Sequence, residues 1–137
     1  MTPEADNRAP EPSAVTGAPV NGSGSPSANP YARTRVSGAF TVIEATGEID
    51  VATAGFLGEH LDAATAGAAP DVLVDLRYVD FFDCSGLRVL CRAGTRAVER
   101  GGRVRVVSVQ PRIRKLLGAA GLLGRFPPLP AIPGERD

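Results

Sequence analysis

The spacing of apolar positions switches between strand-like and helix-like periods from Phe40 to Leu123, and each switch predicts an element. Residues 40–47, FTVIEATG, are rich in β-branched and aromatic side chains and read as a strand. Asp50 then opens a helix on which Leu57, Leu61, Ala64 and Ala68 share one face, and Pro70 ends it. Residues 72–76, VLVDL, are nearly all apolar, which fits a short strand buried on both faces of a sheet covered by helices. After Asp83, helical spacing returns at Leu87, Leu90, Cys91, Gly94, Ala97 and Val98, the clearest amphipathic pattern in the chain. Gly101 and Gly102 stop it, and residues 103–109 alternate as a strand should. Pro111 suits the first turn of a last helix, with Ile113, Leu116, Leu117 and Ala120 on one face and Gly121 at its end.

The order is strand, helix, strand, helix, strand, helix, with further strands expected around residues 31–36 and near Arg125. Such alternation implies an α/β fold: a mixed sheet of four to five strands joined by right-handed crossovers and covered by the alternating helices. Asp50 and Asp83 both follow strands at the start of helices, so one rim of the sheet is expected to carry both.

Composition places boundaries on this domain. Residues 1–35 are rich in Pro, Ser, Gly, Asn and Ala, with Val15 and Val20 the only large aliphatics, and read as a disordered tail. The folded domain is expected over 36–127, followed by a second disordered, Pro-rich tail over 128–137. Lys+Arg and Asp+Glu are both 15. With net charge at zero, no global field draws the chain to nucleic acid or to an anionic membrane, and neither is expected as a partner. No run approaches the roughly eighteen apolar residues a membrane span needs. The start MTPEADNRAP lacks the basic and apolar regions of a secretory signal, and Cys84 and Cys91 suit neither a disulfide nor a CxxC motif, so a reducing cytoplasm is the expected home.

The candidate chemistry lies at Asp83-Cys84-Ser85-Gly86, where short polar groups meet a helix start whose free N–H groups and dipole favour negative charge. Cys84 there could serve as a nucleophile. It lacks an evident base, because the sole histidine, His60, lies on the first helix and reads as a surface or edge residue. No Gly-rich phosphate loop or Cys/His metal cluster is present in the sequence, so no enzyme activity, metal or cofactor is expected. Asp50 and Asp83 read at least as N-caps. Gly86 weakens the first helical turn but admits another backbone closely, as a docking surface would require. Arg92, Arg96, Arg100, Arg103, Arg105, Arg112, Arg114 and Lys115 give the later half a basic bias; solvated surface accounts for most of them, with an acidic protein partner open for some.

The segments TGEID (46–50), VLVDL, DCSGLRVL, the Gly-Gly-then-strand unit and QPRIRKLLGAAGL (110–122) together resemble the STAS domain, and more narrowly the bacterial anti-sigma factor antagonists. The resemblance implies a non-catalytic domain that binds an anti-sigma factor, usually an ATP-binding serine kinase, and so frees a sigma factor in a partner switch. It implies a docking surface centred on Asp50, Asp83, Cys84, Ser85, Gly86 and Leu87. Phosphorylatable members read Asp-Ser-Ser-Gly at the junction, with the first serine as acceptor; this chain has Cys84 there, and Ser85 retains a hydroxyl as a substitute acceptor. STAS domains that sense small ligands or serve as subunits of signalling or transport complexes are the alternative within the same resemblance.

Overall fold

The computed structural model describes residues 25–135. Residues 1–24, most of the expected N-terminal tail, lie outside the described residues, as do 136 and 137. The elements are β1 (Ala32–Ser37), β2 (Phe40–Ile49), α1 (Ala54–Ala64), β3 (Asp71–Phe82), α2 (Cys84–Glu99), β4 (Arg103–Val107) and α3 (Pro111–Ala119). They form a mixed four-stranded sheet in the order β1-β2-β3-β4. β1 pairs antiparallel with β2, and β2, β3 and β4 run parallel.

Sequential parallel strands joined by right-handed crossovers put both crossover helices on the same side of the sheet. The core has that form. Ile43, Ile49, Val74, Leu76 and Val106 meet Leu57 and Leu61 of α1, Leu87 and Leu90 of α2, and Ile113 and Leu117 of α3 in one buried cluster. Alternation along the strands sends Val42 and Leu73 to the opposite face, where they form a second cluster with Val107 and Ile132. The 72–76 run is therefore buried on both faces as expected, but helices cover only one of them.

The second face is covered by the C-terminal segment, which corrects the expectation of a disordered tail over 128–137. Leu129 exchanges two backbone hydrogen bonds with β4 and its flank, accepting from Ser108 N–H and donating to the Val106 carbonyl, both at 2.9 Å. Ile132 is buried, and Glu135 makes a bidentate pair with Arg35 of β1 at 2.7 and 2.9 Å and accepts from the Ser37 hydroxyl. This strap thus crosses the sheet from β4 to β1. Beneath the same face, buried Asp75 is held by the Arg77 guanidinium through two bonds of 3.0 Å.

Other boundaries shift for similar reasons. The strand expected around 31–36 is β1, so residues 32–35 belong to the sheet and not to a tail; Ala32 is buried and Arg33 and Arg35 both pair with Glu44. The extra strand near Arg125 is absent: that residue lies in a turn, and the only further pairing among the described residues is the isolated bridge of Leu129 to Val107. α1 ends at Ala64, which leaves Ala68 exposed in the loop. On α2 the buried face is Gly86, Leu87, Leu90, Ala93, Gly94 and Ala97, so Val98 is exposed and Cys91 only half-buried. α3 closes with Gly121 at φ +74°, a conformation in which a side chain would be strained, as its position after the last helical turn predicts. Ala120, expected on the buried face, is instead the exposed C-cap of that helix.

Candidate functional site

β2 and β3 end side by side, with Ile49 registered against Phe82. The Asp83 N–H donates to the Ile49 carbonyl at 3.3 Å. Asp50 and Asp83 are consequently neighbours on one rim at the carboxyl ends of the parallel strands, where α/β sheets assemble sites.

The two aspartates do different work. Asp83 is the N-cap of α2: its backbone is extended (φ −123°, ψ −166°) and its Oδ1 accepts the Ser85 N–H at 2.8 Å. Asp50 does not open α1, contrary to its expected capping role. Its Oδ1 accepts from the N–H groups of Ala52 (2.9 Å) and Thr53 (3.2 Å), folding the chain into a tight Asx-type turn before the helix begins at Ala54. Thr53 braces that turn by donating its hydroxyl to the Glu48 carbonyl at 2.6 Å. Both acidic side chains are thereby held on the rim by short-range backbone bonds.

Cys84, the first residue of α2, is exposed. Ser85 is half-buried; its N–H is engaged by Asp83, and its hydroxyl has no partner among the described residues. Gly86 and Leu87 point the other way and are buried, so of the six expected docking residues these two shape the junction from within. The reason for Gly86 is also different from the one expected. A Cβ there would lie 2.5 Å from two carbons of the Phe82 ring, so the glycine makes room for a core side chain rather than for an approaching backbone.

Two apolar side chains border the rim that sequence reading did not single out: Val51, 87% exposed, and Phe81, 45% exposed. A signal for each existed. Val51 is a lone apolar residue in a turn, and of the consecutive pair Phe81-Phe82 only one can face the core in an alternating strand.

His60 corrects another expectation. It is fully buried, with Nδ1 2.6 Å from the Thr34 hydroxyl and Nε2 3.2 Å from the Ser27 carbonyl. Both ring nitrogens are spent on the segment that leads into and along β1, so neither is left to activate Cys84. Burial lowers its pKa. The arginines expected as solvated surface are in part structural: Arg92 and Arg96 reach Asp62 of α1, and Arg103 and Arg105 pair with Asp71 of β3. No helix among the described residues is long and apolar enough to cross a membrane.

Comparison with known proteins gives a consistent result. A model of the STAS domain matches residues 31–132. A Mycobacterium tuberculosis protein named as an anti-anti-sigma factor is 32% identical over 111 residues, covering 80% of this chain and 75% of that one. Among solved structures, an anti-sigma factor antagonist from Mycobacterium paratuberculosis aligns with a TM-score of 0.65 at 26% identity, over 74% of this chain and 86% of its own. An anti-sigma factor antagonist domain from Planctomyces limnophilus aligns with a TM-score of 0.59 at 26% identity, over 69% and 86% respectively.

Proposed function

The chain belongs to the STAS domain family of anti-sigma factor antagonists, and on that premise we propose that it binds an anti-sigma factor of the ATP-binding serine kinase type and thereby releases a sigma factor. The observation that carries this reading is the rim itself: Asp50, Asp83, exposed Cys84 and half-buried Ser85 lie together at the start of α2, flanked by the exposed apolar surface of Val51 and Phe81. Acidic and apolar groups fixed by backbone bonds form a preorganised surface, and preorganisation reduces the ordering cost of docking. Such an antagonist is a regulatory binding protein and carries out no turnover of its own.

In this reading the chain lacks the usual off-switch. A phosphoryl group at the junction would add about −1.5 to −2 charges beside Asp50 and Asp83 and oppose docking by like-charge repulsion. A serine kinase transfers phosphoryl to a hydroxyl, and position 84 offers a thiol. Ser85 keeps a hydroxyl, but its half-buried side chain, on the residue whose N–H Asp83 holds, is a poorer acceptor than an exposed first residue. The antagonist would then act constitutively or be governed through another site.

The test is the affinity of the purified chain for its cognate anti-sigma factor, wild type against Cys84→Asp. A carboxylate at position 84 should weaken the complex by about tenfold or more, roughly 1.4 kcal/mol. Equal affinity of the two forms, or no ATP-binding partner captured from the native cell, would reject this docking surface.

A further inference from the structure

The charge of this chain is balanced overall but segregated along it. Between Glu99 and Glu135 lie seven cations and no carboxylate. Within the sheet the cations are matched: every arginine of β1, β3 and β4 pairs with a carboxylate. α3 differs from the strands, with three cations and no acidic residue in nine. Arg112 is held by the Gln110 side-chain oxygen at 2.9 Å, while Arg114 and Lys115 are exposed and have no hydrogen-bond or ion-pair partner among the described residues.

These unmatched cations rim a groove of about 590 Å³ along the outer side of α3, whose floor is Pro111, Gly118, Ala119 and Leu123. The groove does not stop there. A second hollow of about 480 Å³ shares Pro111 and Arg114 with it and continues over Val109, Pro128 and Pro130 toward the strap. Val109 is 64% exposed, an apolar side chain left uncovered in the middle of this path. Arg112, in the first turn of α3, also opposes the helix dipole, and an anion lying along this face relieves it.

We propose that this groove is a docking site for an extended acidic segment of a protein partner, with apolar side chains on the Pro-lined floor and carboxylates against Arg114 and Lys115. An extended peptide fits because the path is long, shallow and continuous, and because it asks for alternating chemistry. Alternation along an extended chain sends successive side chains to opposite sides, one to the floor and the next to the rim. The proposal is independent of the reading of the Cys84 junction, since none of its residues belongs to that rim.

The experiment is a titration of the full-length, ¹⁵N-labelled chain with a synthetic peptide of alternating glutamate and leucine, followed by amide shifts. Saturable shifts confined to residues 108–123 and 128–130 are expected, and R114E/K115E should weaken binding by about tenfold. R88E/R100E makes the same change of charge on α2 and its C-cap and should alter affinity by less than about twofold. Arg114 and Lys115 are exposed and hold no partner among the described residues, so the variant should fold; R114Q/K115Q repeats the test should it not. The proposal fails if no shifts saturate in the groove or if R88E/R100E weakens binding as much. It fails equally if duplex DNA or phosphatidylglycerol vesicles engage the same residues more tightly than the peptide, or if the chain alone self-associates through them.

Discussion

Cys84 differs by one atom type from the serine that the family resemblance implies as phosphoacceptor, and the consequences of that proposal are local and testable. Cys84→Ser would restore a hydroxyl at the exposed first position of α2 and is expected to make the chain a kinase substrate without altering the fold. Gly86, two residues on, is fixed by packing. Alanine in a helix gains up to about 1 kcal/mol over glycine, but a methyl group 2.5 Å from the buried Phe82 ring carries an overpacking cost of about 1–3 kcal/mol. Gly86→Ala is therefore expected to lose roughly 1 kcal/mol net, read as a lower urea midpoint at unchanged slope; a gain in stability would show that the ring moves freely. The polar junction was legible in the sequence because short polar residues interrupt an apolar pattern at one place. His60 was not, because a buried histidine differs from a surface one only through partners, here Ser27 and Thr34, that lie 33 and 26 residues away.

The elements that sequence patterning recovered best are those with a single buried stripe. α2 is one, and its few misplacements, such as Val98 for Ala93, are shifts within the same stripe. The C-terminal strap is the opposite case. Prolines give 128–135 the composition of a tail, and two isolated residues, Leu129 and Ile132, have no periodicity to report that a second cluster is waiting for them. Its contribution is nonetheless that of a core element. Ile132→Ala removes a side chain that is 2% exposed from contact with Val42, Leu73 and Val107, and is expected to cost about 2–5 kcal/mol by equilibrium denaturation. A loss below about 0.5 kcal/mol would mean that the strap does not cover the sheet in solution. α3 offers the complementary prediction: Arg112→Glu replaces a first-turn cation by an anion and should raise stability by about 0.3–1 kcal/mol at low salt, an effect that fades as salt is added.

Across the whole molecule, His60 and two paired carboxylates, Glu135 and Glu44, make the fold acid-sensitive in two windows. His60 is kept neutral by burial, so the unfolded chain binds its proton more readily, and stability should begin to fall as pH drops below about 6.5. Glu135 is held down to about 2 by hydrogen bonds from Arg35 and Ser37, so the strap's contribution is complete above about 4.5 and is lost between there and about 2. A pH series of denaturation midpoints should therefore decline in two stages, and Glu135→Gln should shrink the lower one, leaving the part set by Glu44, whose burial raises its pKa but whose hydrogen bonds from Arg35 and Arg33 leave it lowered. At this scale the fold class and the shared aspartate rim were readable from element order alone, whereas the coverage of the sheet's second face was not, because it depends on contacts at long sequence separation such as Arg35 with Glu135. The central claim is that this antagonist presents its family's docking surface without the phosphoswitch. Its most direct test is to incubate wild type and Cys84→Ser separately with the cognate anti-sigma kinase and ATP and to read intact mass and phosphopeptides. One phosphoryl group at position 84 of the variant and none on the wild type is the expected result; efficient phosphorylation of the wild type at Ser85 would contradict it.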